Sequence, residues 1–531
     1  MPKPATVYLV GAGPGDPGLL TIAGAEALRA AAVVVYDYLA NAELLNLAPP
    51  TAELIYVGKS GNQHTKTQDQ INAILVEKAG QYRGKSVVRL KGGDPYVFGR
   101  GGEEAEVLRE HGIPFVIIPG ITSGIAAPAY AGIPVTHRDF TSTITLITGH
   151  EREDAPAEED SRVNYDALAK LDGTLVFYMG IKSLPRISQR LIAAGLAPQT
   201  PAAVIRWGTR TQQQTVAGTV ATIADIVQKA GLKAPAITII GRVVSLRGTL
   251  NWFENRPLFA KTVIVSRTRQ QASDLSGKLA ALGATIVEIP TIELRPPAQS
   301  EWPAIDRALQ QIPGYDWTIF TSPNGVRATW ERLRHLGLDA RHFPAPPSRR
   351  VAAVGEATAD ALRALGIHPD LIPEKFTGEE LAAALKTQIA NAKSGSPPLR
   401  FLILRADIAR PVLREELEKL GQVDDVAIYH TVRPSALPPE TLEQIADLAA
   451  PERVVNTWIT FTSASTANNL WELLPPEHRQ FVARMRRASI GPITSEAMRK
   501  LGTGSWAPNV EAATHTIDGL IQALLDETPK A

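Results

Sequence analysis

The sequence predicts an α/β protein, and two observations support this fold class. Short runs rich in β-branched residues alternate with longer Ala- and Leu-rich runs of helical spacing, as where Leu19–Ala32 follows Thr6–Val10. Loops of glycine, proline, serine and threonine follow several predicted strands, as Gly92-Gly93-Asp94 follows Val87–Leu90. Because loops at the carboxyl ends of neighbouring parallel strands meet at one edge of an open sheet, we predict a ligand site there.

Length and composition limit the classes of protein that this chain can be. At 531 residues it exceeds one hydrophobic core, because domains average about 150 residues. The net charge of +1 gives no field that attracts nucleic acid, and no run reaches the ~18 apolar residues of a membrane span. The chain has no cysteine, and its histidines lack metal-ligand spacing, so we expect no metal. We expect a soluble cytoplasmic protein without a signal peptide.

The first elements form a βαβ pattern that imitates a dinucleotide-binding fingerprint. A glycine-rich turn follows Thr6–Val10, and the second strand, starting at Val33, ends in the acid Asp37. Two residues argue against a nicotinamide-dependent dehydrogenase, which stays the alternative enzyme class. Asp16 stands where the third glycine belongs and would face a pyrophosphate, and Pro14 removes a backbone donor.

The next elements repeat the alternation of strand, small-residue loop and helix. The segment from Gly92 to Gly102 holds five glycines and an Asp-Pro, which favours a ligand-binding loop over a plain turn. We place one lobe at about 1–135 and a second at 136–257. The further predicted strands are Leu54–Val57, Phe115–Ile118, Thr143–Thr148, Thr174–Met179, Ala202–Ile205 and Ala236–Ile240.

Residues 5–255 resemble the uroporphyrinogen-III C-methyltransferases. The resemblance runs in order through VYLVGAGPGDPGLLT, VVYDYL, VGKSGNQH, VRLKGGDPYVFGRGGEE, PGITSGIAAPAYAGIPVTHR, FYMG and GRVVSLRGTLNWF. It implies two α/β lobes with S-adenosylmethionine in the cleft between them, S-adenosylhomocysteine as its product, and a homodimer through this half. The cofactor residues that it implies are Pro14, Gly92, Gly93, Asp94, Val97, Thr122, Ser123, Met179 and Gly208.

The same resemblance implies proton transfer by Asp37 and Lys59. Taken alone, Asp37 could equally cap a helix, Lys59 could be a solvated loop cation, and Met179 could fill a core. Arg138 is a candidate partner for the carboxylate arms of a tetrapyrrole, because its guanidinium suits bidentate pairing. The residues beside Gly208 depart from the family, because Arg206-Trp207 stands where Glu-Asn is expected.

The second half of the chain, from 258 to 531, repeats itself. The run that begins at Val263 recurs at Phe401, and the run that begins at Trp317 recurs at Trp458, each about 140 residues later. This repeat predicts two repeated doubly wound α/β lobes. Hydroxyl residues stand at the strand-to-helix junctions, where they could bind carboxylates or simply cap helices: Thr321, Ser322, Thr358, Thr462, Ser463 and Thr494.

Residues 261–525 resemble uroporphyrinogen-III synthase, most clearly in FTSPNGV, VGEATADAL, FTGEEL and ITFTSASTANNL. The resemblance implies closure of linear hydroxymethylbilane into a macrocycle without a cofactor. It assigns to Tyr429 assistance in the loss of a hydroxyl group; a tyrosine that merely packs at a sheet edge is the competing explanation.

The two resemblances together predict a bifunctional enzyme of tetrapyrrole biosynthesis. It would convert hydroxymethylbilane to uroporphyrinogen III and methylate that product twice to precorrin-2, in the sirohaem or cobalamin branch. Its partners would be small tetrapyrroles. The non-enzymatic alternative is a tetrapyrrole-binding carrier with an inactive synthase half, against which the retained Tyr429, Thr462 and Ser463 argue.

Overall fold

A computed structural model describes residues 3–58, 66–149, 163–266, 272–343, 349–373, 378–390, 398–407 and 411–528. The chain forms two compact units, one made chiefly of Met1–Thr262 and the other chiefly of Val287–Leu524. Four five-stranded sheets, two in each half of the chain, carry the fold. The predicted α/β class is confirmed.

The first lobe is a parallel sheet with the strand order β3-β2-β4-β1-β5. Alternate residues of β2 face opposite sides, so Val33 and Val35 pack with α2 and α3 while Val34 packs with α1. Its strands are β1 (Thr6–Gly11), β2 (Ala31–Tyr36), β3 (Glu53–Tyr56), β4 (Ser86–Lys91) and β5 (Phe115–Ile118). Its helices are α1 (Ile22–Arg29), α2 (Gln68–Gln81), α3 (Gly101–Glu110) and α4 (Ser123–Tyr130).

The second lobe has a mixed sheet with the strand order β6-β7-β10-β8-β9. The pair β6-β7 is parallel and the remaining pairs are antiparallel. Its strands are β6 (Ile144–Thr148), β7 (Thr174–Tyr178), β8 (Pro201–Arg206), β9 (Gln214–Thr219) and β10 (Ala236–Ile240). Its helices are α5 (Tyr165–Lys170), α6 (Leu184–Ala193), α7 (Ile223–Lys229) and α8 (Arg247–Leu250).

The second half of the chain contributes ten more strands and twelve helices within the described ranges. The strands are β11 (Thr262–Ser266), β12 (Thr285–Ile289), β13 (Glu293–Arg295), β14 (Trp317–Phe320), β15 (Arg350–Ala353), β16 (Leu399–Ala406), β17 (Gly421–Val432), β18 (Thr457–Phe461), β19 (Arg486–Ser489) and β20 (Val510–Glu511). The helices are α9 (Ala272–Ala281), α10 (Trp302–Gln310), α11 (Pro323–His335), α12 (Glu356–Arg363), α13 (Gly378–Ala390), α14 (Val412–Glu418), α15 (Pro439–Leu448), α16 (Pro451–Val454), α17 (Ala464–Leu473), α18 (Pro476–Arg484), α19 (Pro492–Lys500) and α20 (Ile517–Asp526).

The two copies of the internal repeat are exchanged between the sheets rather than folded one per lobe. One sheet has the order β12-β11-β18-β19-β20 and the other β13-β17-β16-β14-β15. Each sheet therefore joins the opening strands of one copy (β11-β12 or β16-β17) to the closing strands of the other (β18-β19 or β14-β15). This differs from the predicted one-copy-per-lobe arrangement. Sequence similarity reports local strand–helix units and not the sheet in which each strand pairs.

Among the described helices, none has the length and apolar character needed to cross a membrane.

Candidate functional site

Three glycine-containing loops of the first lobe meet at the carboxyl ends of β1, β4 and β5. Gly93 N–H donates to Gly13 O at 2.7 Å, and Gly13 N–H donates to Gly93 O at 3.2 Å. A Cβ atom on Gly120 would lie 2.3 Å from Gly93 O, and one on Gly11 would lie 2.5 Å from Gly120 Cα. The loops can approach this closely only because these positions lack a side chain.

Asp94 fixes the shape of this loop cluster. Its Oδ1 accepts from the backbone N–H of Tyr96 at 2.8 Å and of Val97 at 3.1 Å, and its Oδ2 accepts from Gly120 N–H at 3.0 Å. The carboxylate thus ties the loop after β4 to the loop after β5. Asp94 therefore stabilises the loops, and a bound ligand would share carboxylate oxygens that already accept backbone hydrogen bonds.

A cavity of about 570 Å³ opens between the two lobes of this unit, beside the glycine loops. Asp37 and all nine residues that the resemblance assigns to the cofactor line it: Pro14, Gly92, Gly93, Asp94, Val97, Thr122, Ser123, Met179 and Gly208. Lys59 lies outside the described residues. Arg138 is exposed in the turn where His137 bridges to Thr141, and it does not line the cavity.

The cavity wall suits a ligand with an apolar base and several polar groups. Gly93 has a φ of +71°, and a Cβ there would make only van der Waals contact, 3.8 Å from Ser123 N, so the backbone conformation rather than crowding favours glycine. Ala127, Ile205 and Ile237 supply an apolar wall. An adenosyl group needs an apolar surface beside a loop that carries no side chain, so the residues fit S-adenosylmethionine.

The second lobe meets the cavity through two segments with strained backbone. Met179 has a φ of +55° and is 54% exposed, so the alternative that it fills a core is wrong. Trp207 has a φ of +51°, and its ring lies 5.5 Å from that of Tyr38 in the first lobe. Beside it, a Cβ on Gly208 would lie 2.3 Å from the Cβ of Ala127, so only glycine fits.

Tyr178, at the end of β7, holds the loop that carries Thr122. Its hydroxyl lies 2.7 Å from Thr122 Oγ1 and accepts from Gly124 N–H at 2.9 Å. Burial raises the pKa of the Tyr178 hydroxyl, so it stays protonated. Thr122 occupies the N-cap position of α4 without a capping hydrogen bond, because its hydroxyl is paired with Tyr178.

A chain of four charged side chains, which we call the buried charge cluster, leads from Asp37 into the first lobe. Arg89 Nη2 donates to Asp37 Oδ2 at 2.8 Å, and Arg89 Nε donates to Glu104 Oε1 at 3.2 Å. Lys91 Nζ donates to the same Glu104 oxygen at 2.7 Å. The side chains of Arg89, Lys91 and Glu104 are at most 5% exposed, whereas that of Asp37 is 24% exposed.

Sequence reasoning missed this cluster, although it left a signal. The run Val87-Val88-Arg89-Leu90-Lys91 places two cations on one side of a strand that is otherwise apolar. Buried cations need a buried anion, and Glu104 in the first turn of α3 supplies it. The same geometry answers the question about Asp37. It caps no helix, because its Oδ1 accepts from Leu39 N–H in a local turn while Oδ2 pairs with Arg89.

The loop after β1 is not a dinucleotide cradle. Gly13 N–H is consumed by its bond to Gly93. Asp16 Oδ2 accepts from the Tyr130 hydroxyl at 2.8 Å, and Asp16 Oδ1 accepts from Gly18 N–H at 2.8 Å. The donors that would hold a pyrophosphate are therefore engaged within the protein, which removes the structural basis for a nicotinamide-dependent dehydrogenase.

In the second half of the chain, two predicted site residues are in contact. Ser322 Oγ lies 3.0 Å from the Tyr429 hydroxyl. The same oxygen accepts from Gly325 N–H at 3.0 Å, so Ser322 caps α11. Burial raises the pKa of Tyr429, which keeps its phenol protonated. Thr321 is half-buried next to this pair.

The remaining hydroxyl residues divide between caps and buried helix positions. Ser463 caps α17 in a capping box with Thr466, and Thr462 is half-buried beside it. Capping by Thr358 and Thr494 is wrong: Gly355 and Gly491 occupy the N-cap positions of α12 and α19. Both threonines lie three residues further along and are at most 4% exposed.

Comparison with known proteins identifies the family. The tetrapyrrole (corrin/porphyrin) methylase model matches residues 6–224, and the model of uroporphyrinogen-III synthase HemD matches residues 273–522. The porphyrin biosynthesis protein HemD of Ruminiclostridium josui is 39% identical over 529 residues, which cover 98% of this chain and 97% of that protein. The chain belongs to the HemD family of methylase–synthase fusions. The predicted fusion is confirmed.

Two further comparisons, both with methyltransferases, concern the N-terminal half. An S-adenosyl-L-methionine-dependent uroporphyrinogen III methyltransferase of Methanosarcina barkeri is 54% identical over 244 residues, covering 46% of this chain and 94% of that protein. A uroporphyrin-III C-methyl transferase from Thermus thermophilus, solved with S-adenyl homocysteine, is 35% identical and has a TM-score of 0.39. The matched region covers 46% of this chain and 100% of that structure.

Proposed function

We propose that this HemD-family chain is a bifunctional enzyme that cyclises hydroxymethylbilane to uroporphyrinogen III and then methylates the product twice to precorrin-2. Family membership supports both activities. The observation that carries the methyltransferase assignment is the single cavity lined by Asp37 and the nine predicted cofactor residues. We assign this reaction pair to the sirohaem or cobalamin branch of tetrapyrrole biosynthesis.

In the methyltransferase half, the proposed task of the chain is to align two reactants and accept a proton. S-adenosylmethionine supplies an electrophilic methyl group when bound. The loop at Gly92 and Gly93, which carries no side chain, and the wall beside Met179 would hold and orient the cofactor. Methylation leaves the macrocycle with a positive charge that is relieved by loss of a proton. Asp37, oriented by Arg89 and open to the cavity, is the proposed acceptor.

In the synthase half, Tyr429 is the proposed proton donor. Its raised pKa keeps the phenol protonated, and Ser322 orients it. Proton donation to the departing hydroxyl would release water, and the resulting carbocation would be attacked by the last pyrrole ring. Thr321, Thr462 and Ser463 are proposed contacts for the substrate carboxylates, whereas the burial of Thr358 and Thr494 makes them weaker candidates.

One incubation tests the proposal. The purified chain is mixed with hydroxymethylbilane and methyl-labelled S-adenosylmethionine, and the products are separated. We expect uroporphyrinogen III first and a doubly labelled macrocycle later. Label incorporation only when uroporphyrinogen III is added directly would favour the alternative of an inactive synthase half. Absence of label from any macrocycle would contradict the methyltransferase assignment.

The oligomeric state and the location are also part of this proposal. We propose a homodimer formed through the methyltransferase half, in the cytoplasm. Support comes from large apolar side chains exposed on the first unit, which are typical of a protein interface: Ile121, Ile125, Leu250 and Trp252. Sedimentation equilibrium of the 57.1 kDa chain should give twice this mass, and a monomer at micromolar concentration would contradict the dimer.

A further inference from the structure

Lys91 is a buried amine beside the proposed cofactor position. It ends β4, immediately before Gly92 and Gly93, and it lines the same cavity. Its side chain is only 5% exposed. A lysine so placed is rare in a folded protein, because transfer of an ammonium group out of water is costly.

The hydrogen bonds of Lys91 do not match those that an ammonium group requires. Among the described residues, Glu104 Oε1 is the single acceptor for Nζ, at 2.7 Å, although an ammonium has three N–H groups. That oxygen also accepts from Arg89 Nε at 3.2 Å and from Gln68 Nε2 at 3.3 Å. The other oxygen, Oε2, is buried and has no hydrogen-bond partner in the part of the chain that the structure describes.

The buried environment of Lys91 disfavours its protonated form, although the charges around it act in both directions. Burial lowers the pKa of Lys91, and the charge of Arg89 lowers it further, whereas Glu104 and Asp37 oppose this change. These groups come from β4 itself, from α3 and from the end of β2. The further charged residues that line the cavity are Asp94, Arg100 and Lys182. Lys91 is thus a titratable group whose protonation can respond to a charge placed in the cavity.

The cofactor brings such a charge. The sulfonium of S-adenosylmethionine is a permanent cation. When the methyl group is transferred, sulfur keeps the electron pair of the broken bond and becomes the neutral thioether of S-adenosylhomocysteine. An ammonium in the cavity wall would repel the sulfonium through a medium of low polarity. A neutral amine would not, so the two ligands place different demands on the same side chain.

We propose that Lys91 releases a proton when S-adenosylmethionine binds and retains or regains it when S-adenosylhomocysteine occupies the cavity. The positive charge beside Gly92 and Gly93 is then present either on the cofactor or on Lys91. This inference rests on the proposed binding of the cofactor in this cavity. One consequence is that affinity for S-adenosylmethionine increases with pH more steeply than affinity for the product.

Isothermal titration calorimetry of the full chain tests this directly, with S-adenosylmethionine and S-adenosylhomocysteine as matched ligands. Titration in buffers of different ionisation enthalpy gives the number of protons exchanged per ligand bound. We expect the cation to release more protons than the thioether, by a measurable fraction of one proton at a pH where Lys91 titrates. Equal proton exchange by both bound ligands would overturn the inference while leaving the proposed function standing.

Two lysines of the same cavity provide a matched pair of variants. Lys91→Met should abolish the difference between the ligands, whereas Lys182→Met, at an exposed position, should leave it in place. The reverse pattern would assign the proton to Lys182 and overturn the inference. Failure of the wild-type chain to bind S-adenosylmethionine at all would contradict the proposed function and this inference with it.

Lys91→Arg separates the charge from the packing. Arginine keeps a bond to Glu104 but does not deprotonate, so no ligand-dependent proton exchange should remain. Affinity for S-adenosylmethionine should fall by about tenfold relative to S-adenosylhomocysteine, which corresponds to one pKa unit of coupling. Equal affinity changes for the two ligands would show that Lys91 acts only through packing, and would contradict the proposal even if Lys91→Met failed to fold.

Discussion

At the scale of single residues, Asp37 is the side chain on which the methyl-transfer chemistry is proposed to depend. Asp37→Asn keeps the shape of the side chain and its contact with Leu39 but removes the proton acceptor. A positioned acid–base group contributes about 10²–10⁴ in rate, so single-turnover methyl transfer should slow by that range with cofactor affinity little changed. Asp172→Asn, at a side chain that is 84% exposed, is the control. Near wild-type rates in Asp37→Asn would leave proton removal to water or to the carboxylates of the substrate.

Gly93 tests the cofactor assignment without touching the synthase half. Valine there would be strained at a φ of +71°, and its methyl groups would crowd Thr122 and Ser123 of the cavity wall, whose backbone atoms lie 3.9 and 3.8 Å from the Cβ. We expect Gly93→Val to abolish binding of S-adenosylmethionine in calorimetry while hydroxymethylbilane is still cyclised. Gly102→Ala is the matched control, because a Cβ at that helical position meets no atom within 4 Å. Undiminished binding by folded Gly93→Val would refute the assignment.

The residues of the site could be predicted from sequence only where they form contiguous motifs. Gly92, Gly93 and Asp94 stand together in one loop, so their types alone indicate a ligand site. The link between Arg89 and Glu104 depends on the packing of α3 against β4, and no local pattern records that contact. In the sequence, Trp207 appears only as a departure from the family pattern. Its place in the cavity wall depends on a left-handed backbone conformation that the sequence does not indicate.

At the scale of elements, the meeting of the three glycine loops should be sensitive to a single methyl group. Gly120→Ala places a Cβ 2.3 Å from Gly93 O, and that oxygen belongs to backbone that cannot move aside without separating the loops. Overpacking of this kind typically costs about 1–3 kcal/mol, which denaturant unfolding of the methyltransferase half would measure. Gly80→Ala in α2, where a Cβ meets nothing within 4 Å, should instead be neutral or stabilising. Equal stability of the two variants would contradict the close packing.

A histidine between two carboxylates should make the synthase half sensitive to pH. His430, in β17, lies 3.0 Å from Asp407 Oδ2 through Nδ1 and 3.0 Å from Glu301 Oε2 through Nε2. The hydrogen bond to Asp407, followed by that to Glu301, raises the pKa of His430. The resulting stability is fully present below the unfolded pKa of about 6.5, and it is lost as pH rises through the higher folded value.

The corresponding variant is His430→Gln. Its stability relative to the wild type should be lowest near pH 6, and the two proteins should converge as pH rises above the folded pKa of His430. Thermal unfolding of each between pH 6 and pH 9 measures this difference. A gap that stays constant with pH would show that His430 stabilises the fold by packing rather than by its charge.

Strands with strong apolar runs could be predicted to the residue, as Phe115–Ile118 and Ala236–Ile240 show. The predicted helix Leu19–Ala32 is too long, because Ala31 joins β2 and pairs with Ser86 of β4. Alanine has a high helix propensity and a low strand propensity, and pairing in the sheet overrides that preference at Ala31. The strand β9 was missed, because Gln214–Thr219 is a polar edge strand that pairs in the sheet with β8.

At the scale of the whole molecule, the two halves should act independently. Strands β1–β10 lie within residues 1–257 and β11–β20 within 258–531, and among the residues that the structure describes no sheet combines strands from both. Fragments 1–257 and 258–531, expressed separately, should therefore retain methyl transfer and cyclisation. Insoluble fragments, with activity only in the intact chain, would contradict this boundary. A cut between α13 and β16 is the contrasting control, because it divides both synthase sheets.

The exchange of strands between the two synthase sheets also has a consequence for the order of folding. On the ribosome, β11 and β12 emerge early, yet their sheet is completed only by β18–β20, well over a hundred residues later. The sheet of β13–β17 is synthesised within this interval and can close first. The sheet whose first strands are synthesised first is therefore completed last. Until β18–β20 are synthesised, β11 and β12 remain unpaired on one side and can pair incorrectly. Long-range pairings of this kind slow folding and expose nascent chains to aggregation, which makes this lobe the expected client of chaperones.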